Sequence, residues 1–562
     1  MQNDLAKLNL DHPMLASVAA LRAAVERLLG PERRRCERLW AYYRNPTRLD
    51  AMLDAGNNAR PYRQAQEWGL PARVTGSVAG ADVFDASLAA GVNRKEVVIE
   101  NDIGWRVDSI VDFLFGRAIV LNSTAADPAR RTQIEAVLRA VLAANGGLIF
   151  LQQLALLGAV YGSVDVLVKF VPDLAATPAP TAASNTVQSL GGTCPSAAAI
   201  TVPSPAESAS DESVLVTDDG ATPPADSVLP APGASHPSPR DIDRLARCVR
   251  LEIVEPTRAL PLLSPCDCRV ADAFATVYTR ARTPSEAPAL AARQRRGLRL
   301  PWARPPLDPP SPQRVVVIEL VTPTQWQRYE DDMLVAEGPL SLGRLPLVHV
   351  QNTPDPLSYV GASDVEPLLP LQDELNTRLS DRAHRIAMTS FRMYLGKGIE
   401  NFTDVPITPG QMWQTDNPAA DVVEFGGDAS CPSEESHISN VREAIDKLSG
   451  VSPVAAGAIK GKIGNLTSAA ALRVTMMALL SRTERKRGTY GIAIAQMCEL
   501  ALAWLDHAGL FPTTPDERGI DIYWSNPLPT NEIERLEEAK AKVALGVPVD
   551  VVLRELGYGD QA

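Results

Sequence analysis

Residues 363–386 read Ser-Asp-Val-Glu-Pro-Leu-Leu-Pro-Leu-Gln-Asp-Glu-Leu-Asn-Thr-Arg-Leu-Ser-Asp-Arg-Ala-His-Arg-Ile. Ser363 followed three residues later by Glu366 is the pattern of a capping box, in which a hydroxyl and a carboxylate satisfy the free N–H groups of a helix start. Pro370 interrupts the backbone ladder and restarts the helix. From there Leu371, Leu375, Leu379, Ala383 and Ile386 fall on one side at helical spacing, opposite Asp373, Glu374, Arg378, Asp381, Arg382 and Arg385. Such a helix has one stripe to bury. Residues 393–432 then turn irregular and strand-like, punctuated by Gly396, Gly398, Pro406, Pro409, Gly410, Gly426 and Gly427. A second helix is expected over about 434–448, a Gly-rich loop over 450–465, and a long helix over about 467–508. The chain closes with a strand at 520–524 and two short helices at about 531–545 and 550–556.

Upstream the pattern is mixed. Leu15, Val18, Leu21, Val25 and Leu28 recur at helical spacing until Gly30-Pro31, where the run is expected to stop. Val107, Ile110, Val111 and Leu114 form another run before Gly116, and a helix-like segment from Leu148 meets Tyr161-Gly162 and the β-branched stretch Val164–Phe170. Short strands are expected at Val249–Val254, Arg269-Val270, Ala275–Thr279, Val315–Val321 and Leu345–Val350. The fold class is α+β, with strands gathered before Ser363 and helices after it. At roughly 150 residues per domain, a chain of 562 residues holds three or four such units.

Two stretches interrupt this pattern. Leu174–Pro239 has no Phe, Trp or Tyr and no Lys or Arg, and is mainly Ala, Ser, Thr, Pro and Gly with scattered acids; it has too little apolar mass to offset chain entropy and is expected to be disordered. Thr283–Pro312 is Pro-rich and basic, carrying Arg293, Arg295, Arg296, Arg299 and Arg304 around Trp302, which reads either as a solvated basic loop or as a contact for an acidic partner. Lys and Arg number 55 against 67 Asp and Glu, a net charge of −12. Asp173 with Glu207, Asp211, Glu212, Asp218, Asp219 and Asp226 accounts for seven of those charges, so the acidity belongs largely to one insertion. The balance excludes a simple basic coat for nucleic acid, although an acidic wall suits DNA that must slide without being gripped.

The search for chemistry is mostly negative. Gly457-Ala-Ile-Lys460-Gly461-Lys462 lacks the spacing and the Ser or Thr of a phosphate-binding loop. Cys266-Asp267-Cys268 has no second Cys/His pair with it and reads as a strand turn rather than half a zinc site. The histidines at 12, 236, 349, 384, 437 and 507 stand alone, no Gly-x-Ser-x-Gly elbow exists, and the acid pairs Asp331-Asp332 and Glu434-Glu435 read as solvated surface. No catalytic residue, metal ligand or cofactor is expected. Seven scattered cysteines argue against a disulfide framework and for a reducing compartment. Met1-Gln2-Asn3-Asp4 lacks the layout of a signal peptide, and Gln152, Gln153 and Asp165 break the most apolar stretch, so no membrane span is expected.

Four blocks, in order, carry a family resemblance. Asn101-Asp-Ile-Gly-Trp-Arg-Val-Asp-Ser-Ile-Val-Asp-Phe-Leu-Phe-Gly116 resembles a stretch near the start of tailed-phage portal proteins of the SPP1-like family. Leu345–Asn352 with Gly361-Ala-Ser-Asp364-Val-Glu366 and Leu371-Gln-Asp-Glu-Leu-Asn376 is similar to that family's second block. Gly464-Asn-Leu-Thr-Ser-Ala-Ala-Ala-Leu-Arg473 is similar to its third, with alanine where glycine is usual, and Asn526-Pro-Leu-Pro529 to its last. The resemblance implies a homo-oligomeric, dodecameric ring at one capsid vertex of the virion, assembled in the host cytoplasm. Through it terminase, by its large subunit, would package double-stranded DNA, later ejected; head-tail adaptor, major capsid and scaffolding proteins would be its other partners.

The implied order is a wing at 1–362 with insertions at 174–239 and 283–312, a stem helix at 363–392, a clip at 393–433, a second stem helix at 434–450, a channel loop at 451–466, a long wing helix at 467–508 and a small crown at 509–562. On this scheme Lys460 and Lys462 contact DNA, and Phe402, Met412, Trp413 and Phe425 anchor clip partners or neighbouring subunits. The stripe Leu371, Leu375, Leu379, Ala383 and Ile386 packs the stem. The competing reading is another ring-forming head-completion or adaptor protein, against which the chain's length and strand-rich unit argue; a fused enzyme domain has no motif in its favour.

Overall fold

The computed structural model describes residues 12, 15, 17–49, 62–75, 96–171, 239–282, 314–389, 393–398, 416–425, 430–456, 473–528 and 532–556. Lys460, Lys462, Phe402, Met412 and Trp413 lie outside them, as do the insertion at 283–312 and all of Leu174–Pro239 except Pro239 itself.

The first helical run does not stop at Gly30-Pro31. Helix α1 (Val18–Ala24), capped by the Ser17 hydroxyl on the Ala20 N–H, passes through a π-helical turn, Val25–Leu29, into α2 (Gly30–Arg44). A proline in an α-helix collides with the carbonyl four residues before it, here that of Arg27; a wider turn opens the ladder at that point and lets the helix run on. The same turn shifts the buried face by one residue. Leu21, Val25 and Leu29 are buried, whereas Leu28, expected on the apolar side, is exposed.

Next come β1 (Thr47–Leu49), β2 (Tyr62–Gln64), a 3-10 turn at Ala65–Gly69 and α3 (Ala72–Thr75). Helix α4 (Asp102–Phe115) starts from Asn101, whose side chain accepts from the Gly104 N–H. It is followed by β3 (Val120–Ser123), α5 (Pro128–Ala144), α6 (Leu148–Tyr161), β4 (Ser163–Phe170), α7 (Pro239–Cys248), β5 (Val249–Val254), β6 (Ala259–Leu263), β7 (Ala271–Ala281), β8 (Arg314–Val321), β9 (Gln325–Glu330), β10 (Met333–Pro339) and β11 (Leu347–Gln351). Arg269-Val270 is not a strand. It lies in the turn before β7, where the Asp267 carboxylate accepts from the Arg269 backbone N–H and holds the chain bent.

The strands form a five-stranded antiparallel sheet in the order β10-β9-β8-β7-β6 and a three-stranded sheet in the order β11-β4-β5. Leu21, Val25 and Leu29 pack on one face of the larger sheet, against Leu260, Leu262, Ala273, Ala275 and Val277. Between the sheets runs a charged seam: Lys169 pairs with Glu252 at 2.7 Å and Glu319 at 3.5 Å, and the Tyr278 hydroxyl donates to Glu319. Burial, reinforced by Glu319, pushes the Tyr278 phenol up to about 12.

After β11 the chain becomes helical: α8 (Leu369–Thr389), the antiparallel strand pair β12 (Met393–Lys397) and β13 (Asp421–Phe425), α9 (Pro432–Ser449), α10 (Met477–His507), β14 (Ile520–Tyr523), α11 (Glu532–Ala544) and α12 (Val549–Leu556). The expected long helix is interrupted by a turn at Met476, and its first residues, 467–472, lie outside the described ones. Strand β14 pairs with β3, so the C-terminal part returns to the first third of the chain. The largest core gathers α4, α5, α6, α10 and the three-stranded sheet, with Phe115, Leu154, Val166, Ile494 and Leu502 at its centre. Among the described residues no single helix is long and apolar enough to cross a membrane; α5 and α6 together approach that composition but bend by 66° and contribute to this core.

Candidate functional site: buried polar pins around a helix pair

Helices α8 and α9 lie antiparallel. Leu368 just before α8 shares a cavity wall with Leu448 near the end of α9, while Arg385 late in α8 pairs with Glu434 at the start of α9. Leu375 and Leu379 of the expected stripe are buried against Ile438, Val441 and Ile445, and Leu371 packs at the edge of that cluster. Ala383 is half-buried and Ile386 is exposed, so the stripe opens toward the β12–β13 end. Phe425 pairs through its backbone with Met393 at that end.

A second stripe on α8 was not legible as such. Gln372, Asn376 and Ser380, spaced by four, are fully buried. An extended segment, Glu96–Asn101, covers them: Asn376 Oδ1 accepts from the Glu100 N–H, and Ser380 Oγ accepts from the Val98 N–H, both at 3.0 Å. Asn376 also donates to Gln66, whose own amide reaches Asn101 and the Tyr42 carbonyl at 2.8 Å. Buried amides are costly unless their partners are fixed, so this chain of bonds sets the rotation of α8 against the first third of the protein.

Two buried cations pin the other end of the helix pair. Arg106 of α4 lies 2.6 Å from Asp446 of α9 and 3.3 Å from Asp102, donates to Ser449 Oγ and the Val451 carbonyl, and sits 4.3 Å over the Trp105 ring. Burial pushes the Asp446 carboxyl above its ordinary value, with Asp102 and Glu443 adding to the shift and Arg106 opposing it. Lys486 of α10 donates to Asp364 at 2.6 Å and to Asn352; Asn352 in turn donates to Asp364 at 3.0 Å. Burial lowers the Lys486 ammonium below its ordinary value, against the pull of Asp364. Neither cation was singled out in the sequence: Arg106 is one position of the first block, and Lys486 sits in the basic run Arg485-Lys486-Arg487.

The Ser363 hydroxyl oxygen accepts from the Val365 and Glu366 N–H groups at 3.0 and 3.2 Å, but the 3-10 turn Glu366–Leu368 starts from Val365, so the expected capping box does not form. Glu366 does not close the box: its carboxylate goes to Arg35 at 2.6 Å, because α2 lies within reach. Gly361 and Gly162 meet backbone to backbone beside these residues, a contact that a side chain at either position would occupy. Members of the sequence blocks thus meet in two groups: Asn101 and Asn376 through Gln66, and Asn352 with Asp364 beside Gly361.

The remaining sequence candidates are dispersed. His384 contacts Glu96, His437 contacts Glu374, and His349 lies between Asp165 and the Tyr359 carbonyl. Cys266 and Cys268 are exposed in the β6–β7 turn. What the geometry defines is a scaffold in which polar pins register helices against a strand-rich body.

One comparison with known proteins found a match. Residues 314–556 match the family described as phage portal protein, SPP1 Gp6-like, from the first residue of β8 to the last of α12, somewhat under half of the chain. The match supports a tailed-phage portal protein, the family that the sequence blocks resembled, and with it a structural component of the phage capsid that assembles as an oligomeric ring. The block at Asn101–Gly116 lies outside the matched span but is bound to it through Arg106 and the α4 core. No curated protein matches the chain.

Proposed function

We propose that this chain is one subunit of a dodecameric portal ring through which terminase packages double-stranded DNA and from which the DNA is later ejected. The observation that carries the reading is the antiparallel pair α8–α9, with a strand pair at one end and buried cations tying the other end to the strand-rich body. On this reading residues 1–362 are the wing, α8 and α9 the stem, 393–433 the clip, 451–466 the channel loop, α10 the long wing helix and 509–562 the crown. Phe402, Met412, Trp413 and Phe425 in the clip anchor terminase, later a head-tail adaptor, or a neighbouring subunit. The exposed Ile386 on the stem is an apolar contact for the next copy, as a head-to-tail ring requires. The ring holds no motor of its own and takes its work from the terminase ATPase.

Electron microscopy of the purified chain tests the assembly: ring-shaped particles with a central hole are expected, and particles of single-chain mass under all conditions would sink it. Lys460 and Lys462 test the channel. As the charges of the 451–466 loop, they would offer passing phosphates weak, salt-screened contacts. Lys460→Glu with Lys462→Glu is expected to leave rings intact and to impair packaging or retention of DNA. Normal packaging by that variant would remove the lysines from the channel.

A further inference from the structure

The chain a few residues before 457–472 meets the chain a few residues after it. Val451 and Leu479 are buried in one small cluster with Ile110. Arg482 donates to the Leu448 carbonyl at the end of α9, and Gly450, at φ +69°, turns the chain beside the Arg482 side chain. The two ends therefore form a closed neck. Arg106 holds its near side, through Ser449 and the Val451 carbonyl, and Lys486 fixes the far side against Asp364 and Asn352.

Stability alone does not account for cations here. An apolar contact such as Val451–Leu479 stabilises without fixing direction, whereas a buried ion pair adds little net stability yet demands one geometry. Each cation also spans two bodies: Arg106 and Lys486 come from α4 and α10, their acids from α9 and from the turn before α8. A cavity of about 170 Å³ lined by Asn352, Asp364, Leu448, Arg482, Arg485 and Lys486 lies at the same junction, so apolar packing alone leaves the neck unfilled on that side.

We infer that Arg106 and Lys486 are positioning residues that hold the neck of the 457–472 segment in register with the helix pair. The consequence for DNA rests on the channel reading proposed above; the positioning itself does not.

The test is a neutral, similarly shaped replacement in the full chain, Lys486→Met with Asp364→Asn. Removing both charges together avoids a stranded carboxylate, so the melting temperature should stay near the parent's. Trypsin cleavage after Lys460 and Lys462, measured relative to other sites, should accelerate about fivefold as the neck loosens. Arg482→Gln, a change on the more exposed side of the neck, should shift cleavage in the same direction and serves if the double variant does not fold. Parental cleavage rates in a stably folded variant would overturn the inference, since a merely structural pair would be restored in full. Accelerated cleavage with normal DNA packaging would uphold the positioning and remove the DNA role of the segment.

Discussion

Replacing Arg106 by methionine is expected to cost about 3–5 kcal/mol of folding stability, the range for removing one partner of a buried ion pair. Methionine restores much of the volume but none of the donors. Asp446, Asp102, Ser449 and the Val451 carbonyl all lose a hydrogen bond or an ion pair at once, and the guanidinium side chain is only 2% exposed, so water does not replace it. The loss should depend on pH in a definite direction. Burial already raises the Asp446 carboxyl above its ordinary value, and losing Arg106 removes the group that opposes the shift. A carboxyl whose folded value is raised destabilises the fold while ionised and ceases to do so once protonated. The penalty should therefore be largest near neutrality and shrink as pH falls through the raised Asp446 value. Urea midpoints of parent and variant, followed from pH 7 downward, measure both effects. A loss below about 1 kcal/mol, unchanged with pH, would mean that Arg106 is not the pin the geometry makes it.

Much of the fold was legible because many of its elements carry their own punctuation. The strand expected at Val249–Val254 has those bounds, and that at Val315–Val321 begins one residue earlier, since the first alternates apolar and charged residues and the second is rich in β-branched ones. The stripe of α8 was legible in its first three turns, where Leu375 and Leu379 find a partner helix. The failures have local causes: the π turn needed by Pro31 rotated Leu28 outward and Leu29 inward, and an aspartate turn took Arg269-Val270 from the strand.

The site was less legible for a different reason. Asn352, Asp364 and Asn376 could be singled out only as positions of a family block, because their partners lie far away in sequence: Lys486 for Asp364, Glu100 and Gln66 for Asn376. Spacing along one helix records which residues share a face, not what covers that face. Gln372, Asn376 and Ser380 share a face at a spacing of four, yet only the tertiary placement of Glu96–Asn101 makes that face interior.

The glycine of the second block permits a sharper test of the same assembly. A Cβ on Gly361 would lie 2.7 Å from the Gly162 carbonyl oxygen and 2.7 Å from that of Thr353, both backbone atoms. Gly162 is bound in return, at φ +96°, with a Cβ position only 2.3 Å from the Gly361 oxygen. Neither carbonyl can turn away cheaply, since Gly162 O accepts from the Asn352 N–H and Thr353 O from the Ala362 N–H, each at 2.9 Å. One added methyl must push these two turns apart, and with them the Asn352 and Asp364 side chains that meet Lys486. Gly361→Ala is therefore expected to cost upwards of about 3 kcal/mol, in the class of severe backbone-strain substitutions, and to appear as poor soluble yield and a lowered melting temperature. Gly488→Ala in α10 is the matched control: its Cβ would meet nothing within 4 Å, and alanine in a helix interior should be neutral or stabilising by up to about 1 kcal/mol. If Gly361→Ala melts with the parent, the two turns are not in backbone contact, and the path from the block's glycine to the Asp364–Lys486 pair is broken.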